Sequence, residues 1–447
     1  MSATLLAAWR DTVQANPAAI ALIDAGTGRE WRRGELDALA AAWCAGHGAR
    51  LAGQTVIFAE GNGSDWLRVF IGLLKANAVV VALDPGEPPA AQRATAAAIR
   101  APWLWSAGQL HALAPSRAPA RDGRRLLKLT SGSTGVPRAL AFTDAQMLAD
   151  GRQVCRGMEI AAGDVNLGLI PFGHSYGLGN LVLPLLLQGT PIVCGLPALP
   201  HAIAEVIARW RPTVFPAVPA ILRALAESDV TAAQLQSLRT VISAGAPLAP
   251  EIAEAFRAKF GKKIHSFYGS SETGGITYDR TGDAARTGRS VGTPLPGVRL
   301  AFGRGGRFTV ESPAVFTLGN RRCSDAGNGV HRPADIGAFN AEGELVLRGR
   351  AGRFVKIAGR RLNLAEVEHA LKRLPGVRDA LVVPHPARAD ALAAAVASDR
   401  AASELREALR GQLASWKIPK KLIVLPAFPL TARGKTDSAR LRGLLGG

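Results

Sequence analysis

The sequence has few cysteines and no paired cysteine motif. Cys44, Cys155, Cys194 and Cys323 lie far apart along the 447 residues, without the CxxC spacing of a zinc or redox site. This absence argues against structural zinc and is typical of a chain from a reducing compartment. Residues 1–18 also lack the basic start and the apolar core of a secretory signal. We therefore expect a cytoplasmic protein.

The sequence also lacks a hydrophobic run that could cross a membrane. Its most apolar stretch, Leu181–Leu196, is interrupted by Pro184, Gln188, Gly189 and Pro191, whereas a spanning helix needs about 20 consecutive apolar residues. Internal repeats and low-complexity tracts are absent. With 48% hydrophobic and 20% charged residues, the composition is that of a globular protein, and the length suits two or three domains.

Acidic residues are scarce relative to basic ones. The chain has 54 lysines and arginines against 35 aspartates and glutamates, which gives a formal net charge of +19. A polyanionic partner would fit this charge: nucleic acid, an acidic carrier protein or a phosphate-rich cofactor. The basic residues are scattered and are not interleaved with aromatic residues in one block, which favours a solvated basic surface. We expect no nucleic-acid partner.

Strand-like and helix-like segments alternate through most of the chain. Thr55–Phe58 is typical of a buried strand, and a helix follows with apolar residues every three or four positions. Further strands are predicted at Val79–Leu83, Asn166–Ile170, Thr213–Phe215, Thr240–Ser243 and Lys263–Phe267. Buried strands joined by crossover helices predict an α/β fold with mainly parallel sheets.

The pattern changes towards the C-terminus. Asn363 is the expected N-cap of a helix, with Glu366 as its capping-box partner. A strand at Ala380–Val383, a second helix and a further strand follow. These elements predict a compact α+β domain over residues 351–447, after a large domain over residues 1–350.

A loop rich in hydroxyls and glycines lies between two predicted strands, Leu126–Leu129 and Arg138–Phe142. It reads TSGSTGVPR from Thr130 to Arg138. Glycines permit close backbone approach, so that amides and hydroxyls can surround the β- and γ-phosphates of a nucleotide. The GxxxxGK[ST] pattern of a P-loop is absent. On composition alone, an ordinary Ser/Gly hairpin loop stays open as the alternative.

The sequence of this loop resembles the phosphate-binding signature of the adenylate-forming superfamily. That family includes acyl-CoA synthetases, firefly-type luciferases and the adenylation domains of peptide synthetases. Further segments resemble its other signatures in the expected order: LLKANAVVVALDP from Leu73, PFGHSYGLG from Pro171, VISAGAPL from Val241, YGSSETGG from Tyr268, ADIGAF from Ala334, GRAGRFVKIAGRRLNLAEVE from Gly349 and LTARGKTD from Leu430. The resemblance covers almost the whole chain. It implies a large domain of mainly parallel sheets with flanking helices and a small mobile C-terminal lid domain.

The resemblance implies that the chain binds ATP and Mg²⁺. The resemblance gives catalytic roles to three residues. Glu272 matches the carboxylate near Mg²⁺, and Lys435 matches the lysine between the attacking substrate carboxylate and the α-phosphate. His174 matches the residue beside the substrate carboxylate. A hard cation that bridges phosphate oxygens calls for a carboxylate, and a cation that touches two anions lowers their repulsion.

The implied nucleotide-binding residues surround phosphates, adenine and ribose. The loop and Thr273 would bind the phosphates, and Tyr268 and the turn at Gly245 would contact the adenine. Asp335 and Arg350 would bind the ribose. In full they are Thr130, Ser131, Gly132, Ser133, Thr134, Gly135, Arg138, Gly245, Ala246, Pro247, Tyr268, Gly269, Ser270, Thr273, Asp335 and Arg350. An aromatic face suits adenine, and an ionised carboxylate suits two vicinal hydroxyls. Arg138 replaces the usual lysine of the family.

The resemblance also implies an acyl pocket and a second half-reaction. The pocket residues are His174, Ser175, Tyr176, Ala217, Val218, Ala244 and Gly274. Rotation of the small domain about a hinge at Gly352 would bring in a pantetheine tunnel formed by Gly359, Arg360 and Arg361. The pocket segment PFGHSYGLG has no acidic residue to bind an ammonium group, which disfavours an amino acid as the substrate.

These features predict an AMP-forming acid–thiol ligase. A small carboxylic acid reacts with ATP to give an acyl-adenylate and pyrophosphate, and the acyl group then passes to coenzyme A. Two alternatives stay open: an enzyme that loads the phosphopantetheine of an acyl-carrier protein, and a degenerate, inactive nucleotide-binding or regulatory protein. A fatty acid and an aryl acid both fit an apolar pocket, and both a monomer and a homodimer are compatible with the sequence.

Overall fold

The computed structural model of the chain describes residues 3–115, 123–130, 138–316, 326–327, 329–350, 354–357, 360–388, 391–413, 415–431 and 436–446. For residues 326, 327, 350, 354, 356, 360, 361 and 363 it describes the backbone alone. The chain folds as two compact units. The large unit comprises Met1–Ala301, Thr309–Arg332 and Phe339–Val346, and the small unit comprises Phe302–Phe308, Pro333–Ala338 and Leu347–Gly447.

The strands of the described chain are, in order, β1 (Ile20–Asp24), β2 (Arg29–Arg32), β3 (Thr55–Ala59), β4 (Val79–Leu83), β5 (Trp103–Ser106), β6 (Gln109–Ala112), β7 (Arg124–Thr130), β8 (Arg138–Thr143), β9 (Asn166–Leu167), β10 (Ile192–Cys194), β11 (Val214–Ala217), β12 (Thr240–Ser243), β13 (Ile264–Ser270), β14 (Gly274–Tyr278), β15 (Thr293–Pro294), β16 (Arg299–Phe302), β17 (Phe308–Glu311), β18 (Ala326–Gly327), β19 (Val330–His331), β20 (Asp335–Phe339), β21 (Leu345–Arg350), β22 (Phe354–Ile357), β23 (Arg360–Asn363), β24 (Val377–Pro384), β25 (Leu392–Ser398) and β26 (Lys421–Leu425).

The helices are, in order, α1 (Leu5–Ala15), α2 (Arg33–Leu51), α3 (Ser64–Lys75), α4 (Pro89–Ile99), α5 (Asp144–Gly157), α6 (Ser175–Gly177), α7 (Leu183–Gln188), α8 (Pro200–Trp210), α9 (Pro219–Glu227), α10 (Pro250–Phe260), α11 (Asp283–Thr287), α12 (Leu364–Lys372), α13 (Ala402–Arg410) and α14 (Ser438–Leu445). A π-helical segment, Leu178–Val182, joins α6 to α7. No helix in the described part of the chain is both long enough and apolar enough to span a membrane.

A nine-stranded sheet forms the centre of the large unit. Its strand order is β15-β14-β13-β12-β11-β9-β10-β1-β2. The inner strands from β13 to β1 pair in parallel, and β2, β14 and β15 are antiparallel additions at the two sides. Every residue of β11 and β12 is buried, because helices such as α8 and α10 pack their apolar side chains against the sheet.

A second sheet of the large unit has six strands in the order β6-β5-β3-β4-β7-β8. The strands β5, β3, β4 and β7 are parallel, and β7 forms an antiparallel pair with β8. Together the two sheets confirm the predicted α/β class with mainly parallel strands. A short antiparallel sheet, β16-β17-β19-β18, is an element that the sequence did not predict.

The small unit has an α+β core. Strand β25 pairs antiparallel with β24 and parallel with β26, and α12 and α13 cover this sheet with buried residues that include Val367, Leu371 and Leu405. Helix α12 begins one residue after Asn363, as the capping pattern predicts. Glu366 forms an ion pair with Lys417, and its predicted capping-box role stays a prediction, because the side chain of Asn363 lies outside what the structure describes.

Candidate functional site

The carboxyl ends of neighbouring parallel strands bring several of the predicted site segments together. Ala217 at the end of β11 is in register with Ser243 at the end of β12. Ser243 is in register with Ser266 of β13, and the backbone amide of Ala244 donates a hydrogen bond to the carbonyl of Ala217 at 3.2 Å. Val218 and Ala244 therefore leave the sheet side by side, at the edge where ligands bind in open α/β sheets.

The segment Pro171–Gly179 follows β9 and reaches the same edge. Asn62 fixes its start, because the side-chain amide donates to the carbonyls of Gly168 at 3.0 Å and Ile170 at 2.9 Å. The amide oxygen of Asn62 also accepts a hydrogen bond from the Phe172 backbone amide at 2.8 Å. The sequence did not reveal this role, since a single asparagine in a loop carries no signal of its distant partners.

The predicted pocket residues His174, Ser175 and Tyr176 lie in this segment. Ser175 Oγ donates a hydrogen bond to Ser271 Oγ at 3.0 Å, which links the segment to the turn after β13. The Tyr176 hydroxyl lies 3.4 Å from the carbonyl of Ala217 and 3.3 Å from that of Ile242. Burial raises the pKa of Tyr176 well above its ordinary value. Tyr176 therefore remains a neutral hydrogen-bond donor beneath the site.

A backbone hydrogen bond orients the ring of the half-buried His174. Its Nδ1 accepts this bond from the Tyr176 backbone amide at 3.3 Å. In a neutral imidazole the other nitrogen, Nε2, then carries the proton.

Tyr268 and the turn Gly245–Pro247 lie on adjacent strands of the same edge. Tyr268 is a half-buried residue of β13, and a bulge separates it from Gly269. The turn that follows β12 is exposed, and Gly245 has a φ of +84°, a left-handed conformation that favours glycine. An exposed backbone turn beside an aromatic ring offers the two kinds of contact that an adenine needs.

Glu272 lies in the turn between β13 and β14, and not at the start of a helix. The side chain is half-buried, and its carboxylate makes no hydrogen bond and no ion pair with the residues that the structure describes. Thr273 is fully buried, and its hydroxyl donates to the carbonyl of Gly274 at 3.0 Å and contacts Ser270 Oγ at 3.0 Å. A phosphate contact by Thr273 would therefore require one of these hydrogen bonds to open.

The phosphate loop is flanked by an antiparallel strand pair. Thr130 at the end of β7 is directly opposite Arg138 at the start of β8, and Arg138 is exposed. The remaining predicted loop residues, Ser131, Gly132, Ser133, Thr134 and Gly135, lie outside the described residues. A strand, and not a helix, follows the loop, which differs from the P-loop arrangement.

A buried ion pair lies next to this loop. The ammonium of Lys128 in β7 is 3.7 Å from Oδ2 of Asp150 in α5, and both side chains are 4% exposed. Burial lowers the pKa of Lys128, while Asp150 and, further away, Glu272 oppose this shift by their charges. The sequence did not indicate this pair, because a lysine within a strand is more often a surface residue.

The remaining predicted residues belong to the small unit. Asp335 is the half-buried first residue of β20, and Arg350 is the last residue of β21. Arg360 and Arg361 are the first two residues of β23. Gly352, Gly359 and Lys435 lie outside the described residues. The described residues contain no cluster of three or more histidine, cysteine, aspartate or glutamate side chains that could hold a metal ion.

Comparison with protein families gives two matches that together span more than half of the chain. The family model of AMP-binding enzymes matches residues 105–302, and the model of the AMP-binding enzyme C-terminal domain matches residues 366–435. The first match contains the phosphate-loop strands and the carboxyl edge of the nine-stranded sheet.

Several curated proteins are similar in sequence. The probable non-canonical nonribosomal peptide synthetase CymA of Salinispora arenicola is 29% identical over 98% of this chain but only 6% of its own length. The 3-hydroxybenzoate–CoA ligase of an Aromatoleum species is 28% identical over 76% of this chain and 69% of its own length. The 4-coumarate–CoA ligase 2 of rice, Oryza sativa subsp. japonica, is 27% identical over 74% of this chain and 64% of its own length. The chain thus spans a small part of the synthetase and about two thirds of these ligases.

Solved structures share the fold. ATP-bound MatB from Rhodopseudomonas palustris superposes with a TM-score of 0.86 at 22% identity, over 99% of both chains. The amide bond synthetase McbA from Marinactinospora thermotolerans gives a TM-score of 0.82 at 23% identity, over 98% of this chain and 99% of its own. At these identities the likeness shows the fold alone.

Proposed function

Because the chain belongs to the AMP-binding superfamily of adenylate-forming enzymes, we propose that it activates a carboxylic acid with ATP and transfers the acyl group to coenzyme A. The observation that carries this proposal is the meeting of the Pro171, Ala244 and Tyr268 segments at one sheet edge, beside the carboxylate of Glu272, which has no hydrogen-bond or ion-pair partner among the described residues. Aryl-CoA ligases among the relatives support the choice of coenzyme A as the acceptor.

The first half-reaction is an in-line displacement at the α-phosphorus. A carboxylate oxygen of the acid forms a bond to this phosphorus, and the bond to the bridging oxygen of pyrophosphate breaks. His174 would lie beside the carboxylate of the acid and help to position it next to the phosphate. Lys435 would contact both anions and offset their repulsion. In the second half-reaction the thiol of coenzyme A loses its proton and attacks the carbonyl, and AMP leaves.

The residues present fit a magnesium ion. Mg²⁺ is usually held by one or two carboxylates together with substrate phosphates, and seldom by a complete cage of protein ligands. Glu272 supplies one such carboxylate, without a competing partner among the described residues. When bound, the ion would neutralise charge on the departing pyrophosphate. Thr130 and Arg138, which flank the loop, would position the phosphates.

The acid is proposed to lack an ammonium group. Pro171–Gly179 contains no acidic side chain, and the nearby carboxylate of Asp150 is engaged by Lys128 and by the Gly275 amide. An unpaired ammonium would therefore be buried without a counter-charge, which is costly. A fatty or an aryl acid meets this condition, and the names of the relatives favour an aryl acid.

The proposal also covers the roles of the domains, the cellular location and the oligomeric state of the protein. Residues 1–350 would form the adenylation domain and residues 351–447 a lid domain that rotates about Gly352 between the two half-reactions. Gly359, Arg360 and Arg361 would then line the path of the pantetheine arm. We place the enzyme in the cytoplasm, as a monomer or a homodimer.

Pyrophosphate exchange tests the first half-reaction. With radiolabelled pyrophosphate, ATP and Mg²⁺, we expect label to enter ATP only when a suitable acid is added. A panel of benzoic, hydroxybenzoic, cinnamic, short-chain and long-chain fatty acids and amino acids identifies the class. Product analysis with coenzyme A or with a carrier protein in its phosphopantetheine form then identifies the acceptor. Exchange with amino acids alone would contradict the proposed substrate class.

Replacing Glu272 with glutamine removes one charge at nearly constant volume. We expect the concentration of Mg²⁺ that gives half-maximal exchange to rise by about 10- to 100-fold, because the ion loses its protein carboxylate. The half-buried Glu344, which accepts hydrogen bonds from Ser290 and Asn340, provides a matched control as Glu344→Gln. An equal Mg²⁺ requirement in the Glu272→Gln variant and the wild type would remove Glu272 from the metal site.

A further inference from the structure

The buried pair of Lys128 and Asp150 has no role in the steps described above. The Lys128 ammonium lies 3.7 Å from Asp150 and 4.4 Å from the centroid of the Phe142 ring. It makes no hydrogen bond to any residue within the described part of the chain. Burying such a pair costs desolvation energy, and apolar side chains of similar volume are often at least as stabilising. Stability alone therefore does not account for two charges at this position.

The two side chains join segments on both sides of the phosphate loop. Lys128 lies two residues before Thr130, where β7 leads into the loop. Asp150 lies in α5, the helix that directly follows β8, the strand on the other side of the loop. The pair thus connects the element before the loop to the element after it.

Asp150 also holds the turn that carries Glu272. Its Oδ1 accepts a hydrogen bond from the Gly275 backbone amide at 3.1 Å. A Cβ atom on Gly274 would lie 2.2 Å from the same oxygen, and Gly274 has a φ of +68°, so no other residue fits without a shift. Gly274 and Gly275 follow Glu272 and Thr273 directly. The carboxylate is therefore packed against the backbone that orients Glu272.

We propose that the Lys128–Asp150 pair is a positioning device, which fixes the Glu272 turn relative to β7, the strand that leads to the phosphate loop, and so sets the metal affinity of the site. The inference rests on the proposed function, because it assumes that Glu272 contacts a divalent cation on ATP. Lys128 contributes the charge that keeps Asp150 oriented. Asp150 contributes the hydrogen bond to Gly275. Neither side chain needs to touch ATP.

Neutral variants of similar volume separate positioning from packing. Lys128→Met and Asp150→Asn each leave one charge buried, so both single variants should lose thermal stability. The double variant Lys128→Met/Asp150→Asn leaves no unpaired charge and should recover most of the melting temperature. We nevertheless expect it to need about 10- to 100-fold more Mg²⁺ for half-maximal exchange, as is usual when a group that orients a metal ligand is removed.

Calorimetric titration with ATP provides a readout that is independent of turnover. In the wild type Mg²⁺ should strengthen ATP binding, and in the double variant this gain should fall by the same factor as the Mg²⁺ requirement rises. Arg239→Met/Asp164→Asn is the matched control. This ion pair, 2.7 Å long, lies just before β9 and β12, at the opposite edge of the sheet from Glu272. Its loss should leave the Mg²⁺ dependence unchanged.

Two outcomes overturn the inference. A folded double variant with the Mg²⁺ dependence of the wild type shows that the two charges have no positioning role, since the amide oxygen of asparagine can still accept the hydrogen bond from Gly275. If the double variant does not fold, the Lys128→Arg variant provides the test, because it keeps the positive charge. If the Mg²⁺ concentration for half-maximal exchange rises as much in Lys128→Arg as in Lys128→Met, a role for the charge is contradicted. If the wild-type chain binds ATP with Mg²⁺ but shows no pyrophosphate exchange with any acid, that result counts against the proposed function alone. Calorimetry still measures how the pair changes the gain in ATP affinity that Mg²⁺ gives.

Discussion

Replacing Lys435 with alanine is expected to lower acid-dependent pyrophosphate exchange by on the order of 10²- to 10³-fold, the usual effect of removing one group that stabilises charge in a transition state. Attack of a carboxylate on the α-phosphorus brings two anions together, and the lysine would touch both. In the proposed mechanism, binding of ATP relies mainly on the predicted phosphate loop and Tyr268. Its affinity, measured by calorimetry, should therefore change only a few-fold, since the lysine acts mostly on the transition state.

A second assay separates Lys435 from the rest of the chemistry. When the acyl-adenylate is supplied ready-made, the Lys435→Ala variant should still transfer the acyl group to coenzyme A, because the proposed role of the lysine is confined to the first half-reaction. Lys420→Ala is the matched control: this exposed lysine belongs to the same unit, and its loss should leave both rates unchanged. Normal exchange by Lys435→Ala would disprove the role, and an equal loss in both half-reactions would point to a folding defect.

The architecture could be predicted because its causes are local in the sequence. Continuous apolar strands such as Val79–Leu83 are confirmed residue for residue, since a strand covered on both faces needs no alternation. The strand predicted at Asn166–Ile170 pairs only over Asn166–Leu167, after which the backbone turns to form the Pro171 segment. The β16–β19 sheet was not predicted, because its two-residue strands carry no periodic signal.

The site was predictable where its residues form contiguous motifs. The meeting of Ala217, Ala244 and Tyr268 follows from parallel strands that end at one edge. The supports of the site were not predictable. Asn62 holds a loop that begins more than 100 residues later, and Asp150 bonds to an amide 125 residues away. Such contacts depend on how the sheets and helices pack, and one sequence without its fold does not specify them.

Replacing Gly359 with tryptophan should impair the second half-reaction and spare the first, the opposite of the effect expected for Lys435→Ala. If the pantetheine arm passes this glycine, a large side chain blocks it, and thioester formation should fall on the order of 10²-fold, the effect expected when a reacting group is misplaced by about 1 Å. Pyrophosphate exchange does not involve coenzyme A and should stay within about twofold of the wild-type rate. The measurements are exchange with the preferred acid and production of acyl-CoA from the same enzyme.

A smaller side chain at the same position supplies the control for this variant. Gly359→Ala removes the backbone freedom of glycine but adds minimal volume. Selective loss of thioester formation in the tryptophan variant, with the alanine variant near the wild type, would support a tunnel. Equal loss in both variants would show that the glycine is needed for its backbone and would contradict the tunnel.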